Sequence, residues 1–114
     1  MKKITVRNLR NNKIIGDKIE LADTFYLRLK GLLGYTGLGQ GEGMLLTPCS
    51  SIHCIGMKFT IDVIFVDIDK KVIWLRENMQ PGTKETKLDS VHVLELAAGE
   101  VAKQDILMGD TLMW

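Results

Sequence analysis

The sequence predicts one α+β domain, mostly β, with a small antiparallel, barrel-like sheet of about seven short strands and one or two short helices. Three observations carry this. A chain of 114 residues supports one hydrophobic core. Short β-type runs outnumber helical ones, and short polar turns link most neighbours. No internal repeat, low-complexity tract or linker divides residues 1–114.

Lys3 to Asn8 alternates, with Ile4 and Val6 apolar, and reads as the first strand. Asn11-Asn12 is a turn signal, and Lys13-Ile14-Ile15 opens a second strand that extends through Asp17 to Glu20. Asp23 or Thr24 caps a predicted helix whose stripe is Phe25, Leu29, Leu32 and Leu33. Arg28 and Lys30 suit its C-terminal half, and Gly31 or Gly34 ends it. Residues 34–43 hold five glycines and read as a loop, without the Lys-Ser/Thr tail of a phosphate-binding loop.

Gly43 to Thr47 reads as a strand stopped by Pro48, and Ser51 to Ile55 as another. Phe59 to Asp67 is the strongest strand signal; Ile61, Val63, Ile64, Phe65 and Val66 make it apolar on both faces, hence central. A turn over Asp67 to Lys71 returns it as Val72 to Leu75. Asn78 to Ser90, with Pro81-Gly82 inside, reads as an irregular surface loop. Val91 to Leu96 is a strand, Glu100 to Gln104 a short helical turn, and Thr111 to Trp114 a last strand.

Composition narrows the function classes. Fifteen basic and 14 acidic residues give a net charge of +1, so no basic surplus points to nucleic acid or anionic membrane. The N-terminal segment lacks the apolar core of a signal peptide, and no run reaches the ~20 apolar residues of a membrane-spanning helix. A cytoplasmic location is the expectation, with both cysteines as thiols.

Soft and titratable groups concentrate in one place. Cys49, His53 and Cys54 fall within Pro48-Cys49-Ser50-Ser51-Ile52-His53-Cys54-Ile55-Gly56-Met57-Lys58. Their spacing is not that of a zinc knuckle, and a fourth ligand is missing, so no metal or other cofactor is expected. Cys49 and His53 offer a thiol nucleophile and base, but no protease or amidase signature accompanies them. The ordinary alternative is a buried, inert thiol and a hydrogen-bonded histidine. The methionines are scattered and read as core filling rather than as copper ligands.

The chain resembles the family called domain of unknown function 192. Arg28-Leu29-Lys30-Gly31-Leu32-Leu33 is similar to the family's Arg-x-x-Gly-Leu-Met element, and Gly43-Met44-Leu45-Leu46 to its Gly-Met-Leu-Phe-like strand. Met57-Lys58-Phe59-Thr60-Ile61-Asp62-Val63-Ile64-Phe65-Val66-Asp67 resembles the most specific signature. Val93 to Gly99 and Gly109-Asp110 complete the match. The resemblance implies a fold and a site, and no established reaction.

The expected function is a non-catalytic binding or accessory domain. Its cleft, for a small molecule or a protein segment, is expected to be lined by Arg28, Cys49, His53, Met57, Lys58, Asp62 and Glu95. Glu95 lies among Val93, Leu94 and Leu96, so it must face solvent or, if buried, be paired; Arg28 and Lys58 are the candidate partners. The alternative is a small thiol- or metal-dependent enzyme built on Cys49 and His53.

Overall fold

The computed structural model describes residues 1–114. Alternating apolar residues build β1 (Lys3–Asn8) and β2 (Ile14–Ala22) as an antiparallel hairpin turned at Asn12, whose φ is 59°. Thr24 caps α1 (Phe25–Lys30), its Oγ1 accepting from the Leu27 N–H, and Gly31 ends the helix at φ 50°. The glycine loop leads to β3 (Glu42–Leu46).

The sheet departs from the antiparallel expectation at one pair. β3 lies parallel to β2, from Lys18 opposite Glu42 to Ala22 opposite Leu46. The crossover through α1 and the loop returns the chain to the same end of the sheet, which a tight hairpin could not do.

The chain continues through β4 (Ser51–His53), β5 (Ile61–Val66), β6 (Val72–Met79), β7 (Lys84–Thr86), β8 (His92–Ala97), α2 (Glu100–Lys103) and β9 (Leu112–Met113). Seven strands form one mixed sheet in the order β6-β5-β8-β3-β2-β1-β9. Its two edges approach each other where Val72 N donates to Asp110 O at 2.7 Å and Gly109 N to Val72 O at 2.8 Å. The sheet is therefore a curled half-barrel, as the barrel-like reading expected. β5 is an interior strand, between β6 and β8, and all six of its residues are buried.

β4 and β7 form a separate antiparallel pair, Ser51 opposite Thr86 and His53 opposite Lys84. β7 falls inside the stretch expected to be irregular. Three polar residues, Lys84-Glu85-Thr86, carry no apolar alternation; they become a strand because β4 supplies a partner.

Two apolar clusters flank the sheet. One gathers Val6, Ile19, Leu45, Ile64, Val72, Leu94 and Leu112, drawing on all seven strands, and so lies inside the curl. The other gathers Met44, Leu46, Val63, Phe65 and Val93 with Leu32, Ile52, Cys54 and Met57. It lies on the other face, where α1 and β4 are found. Gly43 permits the closest approach of β3 to β8: a Cβ there would stand 2.5 Å from the Glu95 carbonyl oxygen.

Candidate functional site

α1 does not bury its apolar stripe. Phe25 and Leu29 are 74% and 60% exposed, and of the expected stripe only Leu32, beyond the helix, is buried. One and a half turns are too short to lie flat on the sheet. Leu32 anchors the segment while Phe25 and Leu29 form one wall of a groove.

The opposite wall is the chain from Pro48 to His53. It is fastened to the start of β8: Cys49 N donates to Val91 O at 2.8 Å, and Ser90 Oγ donates to Cys49 O at 3.1 Å. Arg28 ties the helix to the same segment, its Nη1 donating to Thr47 O at 3.4 Å. Between these walls lies a cavity of about 390 Å³. Leu29, Leu32, Leu46, Ile52 and Met57 supply its aliphatic lining.

Glu95 also lines this cavity and is its most unusual group. On β8 it stands opposite Met44 of β3 and Val63 of β5, both fully buried. Glu95 itself is 3% exposed, and its Oε1 has no hydrogen-bond partner. Burial pushes its carboxyl pKa up to about 8, because an apolar surround disfavours the charged form. The expectation that Glu95 would face solvent or be paired is corrected on both counts. The register of β8 sends residue 95 to the covered face, and neither Arg28 nor Lys58 forms an ion pair with it.

Five of the seven expected site residues meet here: Arg28, Cys49, His53, Met57 and Glu95. Lys58 is exposed and does not line the cavity. Asp62 leaves the cleft altogether. It precedes Val63 on β5, and strand alternation sends it to the inside of the curl. There Oδ2 accepts from Gly99 N at 3.0 Å and Val101 N at 2.9 Å, and Oδ1 from Asn78 N at 3.0 Å. Asp62 holds the start of α2 and is a structural anchor.

The thiols show no activation. Cys49 Sγ donates to the Ser51 carbonyl at 3.2 Å, and burial pushes its pKa up. Cys54 is fully buried, and the same cause raises its pKa to about 11. Both cysteines are free, and Cys49, His53 and Cys54 do not converge as a metal-ligating cluster. His92 stands apart, with Nδ1 2.8 Å from Thr47 Oγ1 and its ring edge-on to Trp114 at 4.8 Å.

Sequence reasoning missed Phe25, Leu29, Lys30 and Ser51 as lining residues. The signal was present in Phe25 and Leu29, an apolar pair on a helix too short to bury them.

The chain is 25% identical over 111 residues to a UPF0127 protein of Thermococcus sibiricus, covering 94% of this chain and 72% of that protein. It is 29% identical over 101 residues to a UPF0127 protein of Thermococcus gammatolerans, covering 84% and 65%. Among solved structures it is similar to a protein of unknown function from Novosphingobium aromaticivorans, with a TM-score of 0.84, 29% identity and coverage of 96% and 82%. A Sinorhizobium meliloti protein shares the fold at a TM-score of 0.87 and 24% identity, with coverage of 98% and 93%. The family model DUF192, Uncharacterized ACR, matches residues 6–114. With its signature strand fully buried in the half-barrel sheet, this chain belongs to the DUF192 family.

Proposed function

We propose that the protein is a non-catalytic binding domain whose small-molecule ligand occupies the groove between α1 and the Pro48–His53 segment. One observation carries the reading: a buried carboxyl, Glu95, without a hydrogen bond to Oε1, stands in the wall of a cavity that mixes apolar side chains with a few polar and charged ones. Leaving such a group unpaired costs about 1–3 kcal/mol or more, and a ligand that pairs with it recovers that cost. The volume lies within the roughly 300–1,000 Å³ of small-molecule sites. Cys49 does not favour the thiol-enzyme alternative, since its surroundings suppress the thiolate that a nucleophile needs. Two free cysteines support the expected cytoplasmic setting.

The test is a small-molecule screen by ¹⁵N–¹H NMR. Binding should shift the amides of Leu29, Leu32, Cys49 and His53 together. Leu29→Asp, a change on an exposed side chain, should abolish those shifts without unfolding the protein. Hits that shift only residues elsewhere, or that bind Leu29→Asp equally well, would refute the groove.

A further inference from the structure

We propose that the groove selects a small zwitterion with an aliphatic tail, an α-amino acid of the leucine type, its ammonium group on Glu95 and its carboxylate on Arg28. This rests on the groove being a ligand site and adds the chemistry of the ligand. Arg28 and Glu95 carry opposite charge when ionised, line one cavity, and form no ion pair with each other. Arg28 spends a single donor, on Thr47 O at 3.4 Å, and keeps the rest of its planar fork for an incoming carboxylate.

Charge excludes the simpler ligands. A plain amine would pair with Glu95 but meet Arg28 and Lys30 of α1. A plain carboxylate would suit Arg28 but bring no hydrogen-bond donor to Glu95 Oε1. A molecule carrying both charges satisfies both ends. Leu29, Leu32, Leu46, Ile52 and Met57 then receive the alkyl tail.

Binding should also move a proton. The titratable and charged groups that share the cavity with Glu95 are Arg28 and Lys30 from α1 and Cys49 and His53 from the opposite wall; the buried Cys54 also feels its charge, and apolar Met44 and Val63 flank it on the neighbouring strands. Near pH 7 the free site holds Glu95 as the acid, by burial. Ammonium binding requires the carboxylate, so the Glu95 proton leaves to solvent while the ligand keeps its own.

Isothermal titration calorimetry at pH 7, in phosphate and in Tris, tests this with four probes: L-leucine, N-acetyl-L-leucine, L-leucinamide and hexanamide. L-Leucine should bind, and each singly blocked derivative should bind at least about tenfold more weakly. The buffer dependence should report release of up to one proton per leucine, and that release should vanish in Glu95→Gln. Arg28→Gln changes a half-exposed side chain, so it keeps the test available should Glu95→Gln not fold. In it leucine should weaken to the level that leucinamide shows with the unaltered protein. Blocked derivatives binding as tightly as leucine, or leucine binding unchanged in Arg28→Gln, overturns the zwitterion. Hexanamide binding in the groove without leucine overturns the zwitterion and leaves the groove standing. Failure of all four probes to bind overturns the zwitterion, and the groove then stands or falls by the NMR screen.

Discussion

Asp62 and Glu95 are carboxylates on adjacent strands that face opposite sides of one sheet. Asp62 accepts three backbone N–H groups, whereas Glu95 Oε1 accepts none. The register that pairs Asp62 with Leu96 and Val63 with Glu95 sends each acid to its own face. Two residues of the same chemistry thereby become an anchor and a candidate ligand group.

Glu95 should make stability fall with rising pH. Its folded pKa of about 8 lies above the ordinary glutamate value of 4.5, so between these the folded state binds a proton that the unfolded chain lacks. That contribution is fully present below about pH 4.5, declines as pH rises, and is lost above about pH 8, a total on the order of several kcal/mol. Urea midpoints at pH 5, 6.5 and 8.5 should fall in that order through this group. Glu95→Gln should flatten the series and be the more stable protein at pH 8.5; an unchanged slope would refute the assignment.

Asp62→Ala should be strongly destabilising. It leaves the N–H groups of Asn78, Gly99 and Val101 without their acceptor, one of them in a buried hydrogen bond. A loss of about 3 kcal/mol is expected in chemical denaturation. Asp62→Asn, which keeps one acceptor oxygen, should lose less. Amide exchange should accelerate first at Gly99 and Val101.

Gly43→Ala should disrupt the sheet at its centre. The added Cβ would stand 2.5 Å from the Glu95 carbonyl oxygen and 2.9 Å from Leu96 Cδ2. The first contact is backbone and cannot rotate away. A cost of about 2 kcal/mol or more is expected. Gly34→Ala offers a contrast: its added Cβ meets nothing within 4 Å, so only its φ of 88° opposes the change. An equal loss in both would show that the β3–β8 approach is not the cause.

The thiols should be slow. Ellman's reagent at pH 7.5 should modify Cys49 slowly and Cys54 only after denaturation, because burial raises both thiol pKa values. Rapid labelling of Cys49 in the folded protein would restore the thiol-enzyme alternative.

The strand runs, the Thr24 cap, the Asn12 turn and the fully buried strand at Ile61–Val66 were legible in the sequence, because each follows from local alternation or turn chemistry. So was the neighbourhood of the candidate site. Local pattern could not reveal β7, which depends on a partner strand, or the parallel β2–β3 pair, which depends on a crossover. Nor could it assign the acids. Asp62 and Glu95 each read as a charge beside apolar residues, and their faces were decided by long-range register. The sequence by itself determined which residues could carry chemistry. The tertiary structure decided that Glu95 and Arg28 line one cavity while Asp62 is used up by backbone, since packing alone sets which polar groups keep free hydrogen-bonding capacity.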